Sequence, residues 1–193
     1  DIRGANRDSD SKIIDKYLEI NRRYNLPVEK NENPSLSDNN GGVNILSFNP
    51  HNCSKSNINN HSIVTVIEYL DLKVTIPGDN ESASWKELLE NEEFVDAIRG
   101  TNIFVASHHG RKSGYYSELF KYFTPDLNII SDYKVTGTSV TDKYSEKAKG
   151  WYVYSRKSGI KEKRYCLTTR KDGVIVIKIG KDDEMKYLNV TVN

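Results

Sequence analysis

Cysteine is almost missing from this chain: 193 residues contain two, Cys53 and Cys166, far apart and in no C-x-x-C spacing. That excludes a disulfide framework and a zinc ribbon, both of which need several thiols at short intervals. Long apolar runs are missing too, so no segment reads as a membrane-spanning helix. Neither sign of charge is in excess, since 28 Lys and Arg face 27 Asp and Glu for a formal net charge of +1. A globally basic, polyanion-binding composition is thereby excluded, and any cationic surface has to be local. No internal repeat or domain linker appears. Apolar content is 36%, below the globular average, yet the chain is long enough to bury one core. Cys166, in an apolar run, reads as a small core residue, and Cys53 as an exposed neighbour of His51 with too few companions for a metal site.

Histidine is also scarce, which makes its placement informative. Two of the four are adjacent in Ala106-Ser107-His108-His109-Gly110-Arg111-Lys112, directly after the apolar stretch Asn102-Ile103-Phe104-Val105. Strand ends are where α/β proteins place metal ligands and reacting groups, and neutral imidazole suits a borderline metal such as zinc. The alternative is a pair of loop histidines with no chemistry. Upstream, Ser62 to Tyr69 and Leu72 to Ile76 read as a hairpin joined at Leu70-Asp71, delivering Pro77-Gly78-Asp79 to a strand end. Asp79 there is a candidate ligand, although such a triplet is also an ordinary turn.

The remaining pattern predicts a helix over residues 9–24, capped by Ser9 or Asp10, with an apolar stripe of Ile13, Ile14, Tyr17, Leu18 and Ile20. Residues 29–42 read as a flexible surface insertion. Strands are expected at 43–48, 127–131, 151–154, 164–168, 174–179 and 185–192, and helices at 84–91, with a continuation at 94–98, 115–123 and 141–149. The helix at 115–123 would bring its N-terminal amides near the histidines, ready for an anion such as phosphate. A basic cluster, Arg156, Lys157, Lys161, Lys163 and Arg164, surrounds a Ser158-Gly159 turn, with Tyr152 and Tyr154 at alternating positions just before it. Such a hairpin would suit single-stranded nucleic acid through phosphate contacts and stacking, or it is simply a solvated turn. Two β-rich regions with interspersed helices fit a two-sheet α/β (α+β) sandwich better than a doubly wound parallel sheet.

Taken in order, Asn59-Asn60-His61-Ser62-Ile63-Val64, Pro77-Gly78-Asp79, Ser107-His108-His109-Gly110 and Pro125-Asp126-Leu127-Asn128-Ile129-Ile130-Ser131 resemble the blocks of the metallo-β-lactamase-like domain of ComEC-type competence proteins. The stretch Cys166 to Ile177 is similar to that family's closing threonine-turn-Gly strand, so the resemblance covers residues 43 to about 180. It implies an αββα sandwich, and because the chain lacks the family's upstream H-x-H-x-D-H cluster and begins Asp1-Ile2-Arg3-Gly4, we expect it to be the C-terminal part of such a domain, incomplete at the N-terminus. The missing N-terminal part of the same protein would then be its first partner.

For function the resemblance implies metal-assisted hydrolysis: two divalent ions, zinc or manganese, would activate a water for attack on a phosphodiester, making the intact protein a phosphodiesterase or nuclease. Asp79 matches the bridging carboxylate and His108 the last metal ligand, with His109 nearby or facing substrate; neighbouring imidazoles are not separable by sequence. Asn59 stands where related lactamases have a ligand histidine, and His61 in the same loop is an alternative ligand. Arg111 and Lys112 are candidate substrate contacts and favour an anionic substrate, a single-stranded nucleic acid or another phosphodiester. Two other readings stay open: a catalytically inactive binding module, and a hydrolase of small esters or lactams. A cytoplasmic location is expected.

Overall fold

A computed structural model describes residues 11–23, 29–33, 36–54, 56–132, 139–183 and 185–193. The chain forms two compact units, 1–33 and 34–193, whose boundary falls inside the polar 29–42 segment. In the first, helix α1 (Ser11–Arg23) occupies the expected stretch. Glu19 is paired with Lys16 at 2.9 Å and with Arg23, neighbours one turn away on the same face. Ile13, Tyr17 and Ile20 of the predicted stripe are exposed. The expected caps, Ser9 and Asp10, lie outside the described residues.

The second unit holds two sheets. In the larger, the strand order is β1 (Asn44–Phe48), β2 (Val64–Tyr69), β3 (Leu72–Ile76), β4 (Ile103–Val105), β5 (Leu127–Ile130) and β8 (Cys166–Thr168). β1, β2 and β3 pair antiparallel, whereas β3, β4, β5 and β8 run parallel. The β2–β3 hairpin turns in two residues, Leu70 and Asp71, both at positive φ, the backbone that matches the twist of the flanking strands. The smaller sheet has the order β7 (Lys161–Arg164), β6 (Trp151–Ser155), β10 (Met185–Val192), β9 (Ile175–Asp182).

Side-chain alternation along the strands creates two cores. Ile103, Leu127, Ile129 and Leu167 point toward Val153, Leu188, Val190 and Val192 of the smaller sheet, forming the layer between sheets. Their neighbours Phe104 and Ile130, with Val64 and Val66, point the other way and pack beneath helices α2 (Ser82–Leu88) and α3 (Glu92–Ile98) and α4 (Thr141–Ser145). Buried polar side chains on that face are tied into the fold: the Asn128 amide NH2 donates to the Tyr144 carbonyl at 2.6 Å, although its Oδ1 has no partner among the described residues, and the Thr75 and Thr101 hydroxyls lie 2.8 Å apart. The architecture is therefore a mixed α/β two-sheet sandwich. Helices α2, α3 and α4 lie over the outer face of the larger sheet.

Three expected helices differ in detail. The 84–98 pattern is two short helices because the Asn91 side chain accepts from the Glu93 and Phe94 amides and restarts the helix there. The 141–149 helix stops at Ser145, and the chain leaves it with the Lys149 amide bonded to the Pro125 carbonyl and Gly150 at positive φ. Residues 115–123 form no α-helix but a 3-10 turn over Ser117–Lys121, since Tyr115, Phe120 and Phe123 are drawn onto Phe104 and Tyr144 in one ring cluster. The helix N-terminus expected to receive an anion beside the histidines is consequently not formed.

Candidate active site at the ends of the parallel strands

Ligands of parallel sheets gather beyond the carboxyl ends of the strands, because there the loops from neighbouring strands meet. Here the loops after β3, β4, β5 and β8 are tied to one another. The Gly78 carbonyl accepts from the His108 amide at 3.0 Å and lies 3.2 Å from the Ser107 hydroxyl, which also contacts the Asn80 carbonyl. The Asp79 amide donates to the Ser62 hydroxyl at 3.1 Å, while Asn80 donates to the carbonyls of Ser62 and Pro77. Gly78 sits at φ 62°, and a Cβ there would lie 2.8 Å from Ser62 Cβ, so the turn requires glycine. On the far side the Thr169 hydroxyl accepts from the Asp132 amide and donates to its carbonyl, both at 2.8 Å.

Between these ties the chain runs through three successive left-handed residues, His108 (φ 48°), His109 (φ 55°) and Gly110 (φ 70°). For each histidine that backbone costs roughly 1–2 kcal/mol, so it persists only because the surroundings enforce it. The enforcing contacts are the His108 amide on Gly78, the Arg111 amide on the His108 carbonyl at 3.0 Å, and the Val140 amide on the Gly110 carbonyl at 2.9 Å. The consequence is that two adjacent imidazoles point into different environments.

His108 is buried. Its Nδ1 lies 2.9 Å from Glu81 Oε1 and 3.1 Å from the Ser113 hydroxyl, and its Nε2 lies 3.1 Å from Arg111 Nη1. A guanidinium can only donate, so Nε2 accepts and the ring proton resides on Nδ1, directed at Glu81. Both nitrogens are thus occupied within the protein. His109 is half-exposed, and its Nδ1 is 2.8 Å from the Ser131 carbonyl, which can only accept. Nδ1 therefore carries a proton, and Nε2 faces Asp79 Oδ1 at 3.6 Å. A ring nitrogen and a carboxylate oxygen at that distance form a favourable pair when a positive charge lies between them, either a proton on Nε2 or a metal cation bound by both.

Glu81 anchors the floor of this arrangement. Beyond His108 it accepts from Asn57 at 2.8 Å and from Asn59 at 3.5 Å, and its own amide donates to Asn60 Oδ1. Burial pushes its carboxyl up, but the bonds from Asn57, Ser113 and Asn59, with the electrostatic effect of the His108 ring beside it, outweigh this and hold it below the usual glutamate range.

Of the residues singled out by sequence, the structure brings Asp79 and His109 together, while His108 makes no ion pair with Asp79. Asn59 turns to Glu81 rather than outward. His61 is exposed, with Nε2 3.3 Å from the Ser54 carbonyl and no ion pair to Asp79. Arg111 is committed to His108, and Lys112 is exposed on the next turn. Glu81 escaped sequence reasoning because a carboxylate two residues past a Pro-Gly-Asp turn carries no periodic signal. The Arg170–Asp132 pair, 3.1 Å apart with the carboxylate buried, was missed too. Among the described residues no three His, Cys, Asp or Glu side chains are placed to hold a metal ion. Zinc needs at least three protein ligands, so Asp79 and His109 do not by themselves fit a zinc or manganese centre, still less two.

Comparison with known proteins gives no matching family model and no match among curated proteins. Solved structures that match include a Thermotoga maritima protein described as an inferred Zn-dependent hydrolase of the metallo-β-lactamase superfamily, at 14% identity and a TM-score of 0.41. The match covers 66% of this chain and 64% of the length of that one.

Proposed function

We propose that the strand-end edge carrying Asp79 and His109 is part of the reaction centre of a phosphodiester hydrolase, to which this chain contributes two donors for a divalent cation. The observation that carries this reading is the 3.6 Å approach of Asp79 Oδ1 to His109 Nε2, with the other imidazole nitrogen held by the Ser131 carbonyl. A backbone carbonyl behind one ring nitrogen is the usual arrangement for a metal-facing histidine, because it fixes the tautomer and aims the free lone pair. The order of the motifs around Asp79 and His108-His109 supports the same class of chemistry. Geometry favours His109 over His108 as the donor, since both nitrogens of His108 are taken. The remaining ligands of a zinc or manganese pair have to come from outside the described residues. Lys112, exposed beside the histidines, is the cation this reading sets against a substrate phosphate.

The test is calorimetric titration with Zn2+ and Mn2+, paired with hydrolysis of bis-p-nitrophenyl phosphate in the intact protein. Asp79→Ala and His109→Ala should each remove metal-dependent turnover and weaken metal binding while leaving the melting temperature near that of wild type. Turnover that survives Asp79→Ala would refute the reading. A second reading, a binding module without catalysis, is favoured by the lack of a third donor among the described residues. It predicts phosphodiester binding with no turnover at any metal concentration.

A further inference from the structure

The outer face of the smaller sheet has no part in the site above. Strand alternation decides what it displays: Val153, Leu188 and Val190 turn to the inter-sheet core, so Tyr152 and Tyr154 of β6 and Tyr187 of β10 turn outward. The registers extend the row. Tyr152 stands opposite Lys163 and Tyr154 opposite Lys161 on β7, and Tyr187 stands opposite Gly180 on β9, one pleat from Lys178. Tyr152 and Tyr154 are 59% and 42% exposed, and Tyr187 is 37% exposed. Just beyond β7, Tyr165 is 44% exposed with Lys163 Nζ 5.5 Å from its ring centre.

These rings form a platform rather than scattered surface aromatics. Any Cβ at Gly180 would collide with the Tyr187 ring, so that ring lies down over the glycine instead of standing away from the sheet. Tyr152 and Tyr154 are about 6.7 Å apart along one strand, enough room for a flat ring beside each. Lysines border the rings on both sides, and Asp182, at the hairpin end, is the only acid that alternation puts on this face among the described residues of the four strands. Arg164, part of the basic cluster seen in sequence, is not available to it: the guanidinium turns to Asp172 at 2.9 Å and Glu162 at 3.2 Å.

We propose that this face binds single-stranded nucleic acid, with Tyr152, Tyr154 and Tyr187 stacking unpaired bases and Lys161, Lys163 and Lys178 contacting the phosphates. A lipid surface would call for aliphatic side chains, which this row lacks at its centre. A duplex keeps its base faces closed to a flat sheet, whereas a four-stranded sheet presenting rings is a known way to stack splayed bases. The combination of π-faces with cations of one sign is what such a strand recognises.

The experiment measures anisotropy of labelled dT12 and U12 against the full chain, in chelator so that binding is read apart from the Asp79–His109 chemistry. Tyr152→Ala/Tyr154→Ala, at exposed positions and checked for folding by circular dichroism, should weaken binding at least about tenfold at fixed salt. Lys161→Gln/Lys163→Gln should lower the slope of log K against log salt by about 1.4. A duplex of the same length should bind more weakly than either oligonucleotide. Unchanged affinity in the tyrosine variant, a duplex bound as tightly as the single strand, or no oligonucleotide binding at low salt would each overturn the proposal. Preferential capture by phosphatidylserine vesicles would reassign the face to a lipid surface.

Discussion

Replacing Glu81 with Gln probes the floor of the site with one atom. The carboxylate accepts from His108 Nδ1 at 2.9 Å and from Asn57 at 2.8 Å, and one of these donors would meet an amide NH2 in the variant. A hydrogen bond to a charged group contributes about 1.5–3 kcal/mol, and the Glu81 side chain is 19% exposed, so water compensates part of the loss. We expect about 2 kcal/mol at neutral pH, which for a chain of this size is a drop of roughly 4–8 °C in melting temperature. The sign of the pH dependence follows from the direction of the shift. Glu81 is held below the usual glutamate value in the folded protein, so the unfolded chain takes up the proton first as pH falls. Its stabilisation is therefore complete above the unfolded value of about 4.3 and is lost as pH falls through the lower folded value. Urea unfolding of wild type and Glu81→Gln in chelator, from neutral pH down to about 3, measures this as a gap that is constant at first and closes only at the acid end. A gap under about 0.5 kcal/mol at neutral pH, or one of equal size at both ends, would refute the role given to this carboxylate.

Gly114→Ala would put a Cβ 2.6 Å from the Ser107 carbonyl and 2.8 Å from His108 Cβ, whereas Gly159→Ala at the β6–β7 turn meets nothing within 4 Å but sits at φ 70°. Thermal melts should show about 3 kcal/mol for the first and about 1 kcal/mol for the second; equal losses would mean the histidine turn is not tightly packed. Burial pushes the Cys166 thiol up to about 12, and Cys53 is raised by burial and its contact with Glu87, so in native protein dithionitrobenzoate should react slowly with Cys53 and with Cys166 only after unfolding. Simultaneous reaction of both thiols would contradict that burial. Arg164→Gln leaves the buried Asp172 carboxylate without its cation and should cost about 2–3 kcal/mol by denaturation, yet leave oligonucleotide affinity unchanged, in contrast to Lys161→Gln/Lys163→Gln.

Much of the scaffold is legible because it rests on local rules. Alternation in Val64 to Tyr69 and Leu72 to Ile76 names both strands of a hairpin, and Leu70-Asp71 is too short for anything but a tight turn. The 115–123 segment misleads because its apolar spacing is helical while its rings are claimed by Phe104 and Tyr144, which no local window contains. The site divides in the same way. Asp79 and the histidine pair announce themselves as polar groups at the ends of apolar runs. Which imidazole faces Asp79 depends on left-handed backbone at both residues and on carbonyls of Gly78 and Ser131, contributed by distant strands. Glu81 and the Arg164–Asp172 pair are likewise matters of tertiary geometry.

The central claim is that His109, not His108, presents a free nitrogen to the cation position beside Asp79. Long-range proton–nitrogen correlation spectra of the imidazoles, recorded while Zn2+ is added to the intact protein, test it most directly. Before metal, both rings should show the proton on Nδ1. On titration the His109 Nε2 resonance should move and the His108 resonances stay in place, and the movement should disappear in Asp79→Ala. A Zn2+-dependent shift at His108 with His109 unchanged would contradict the account.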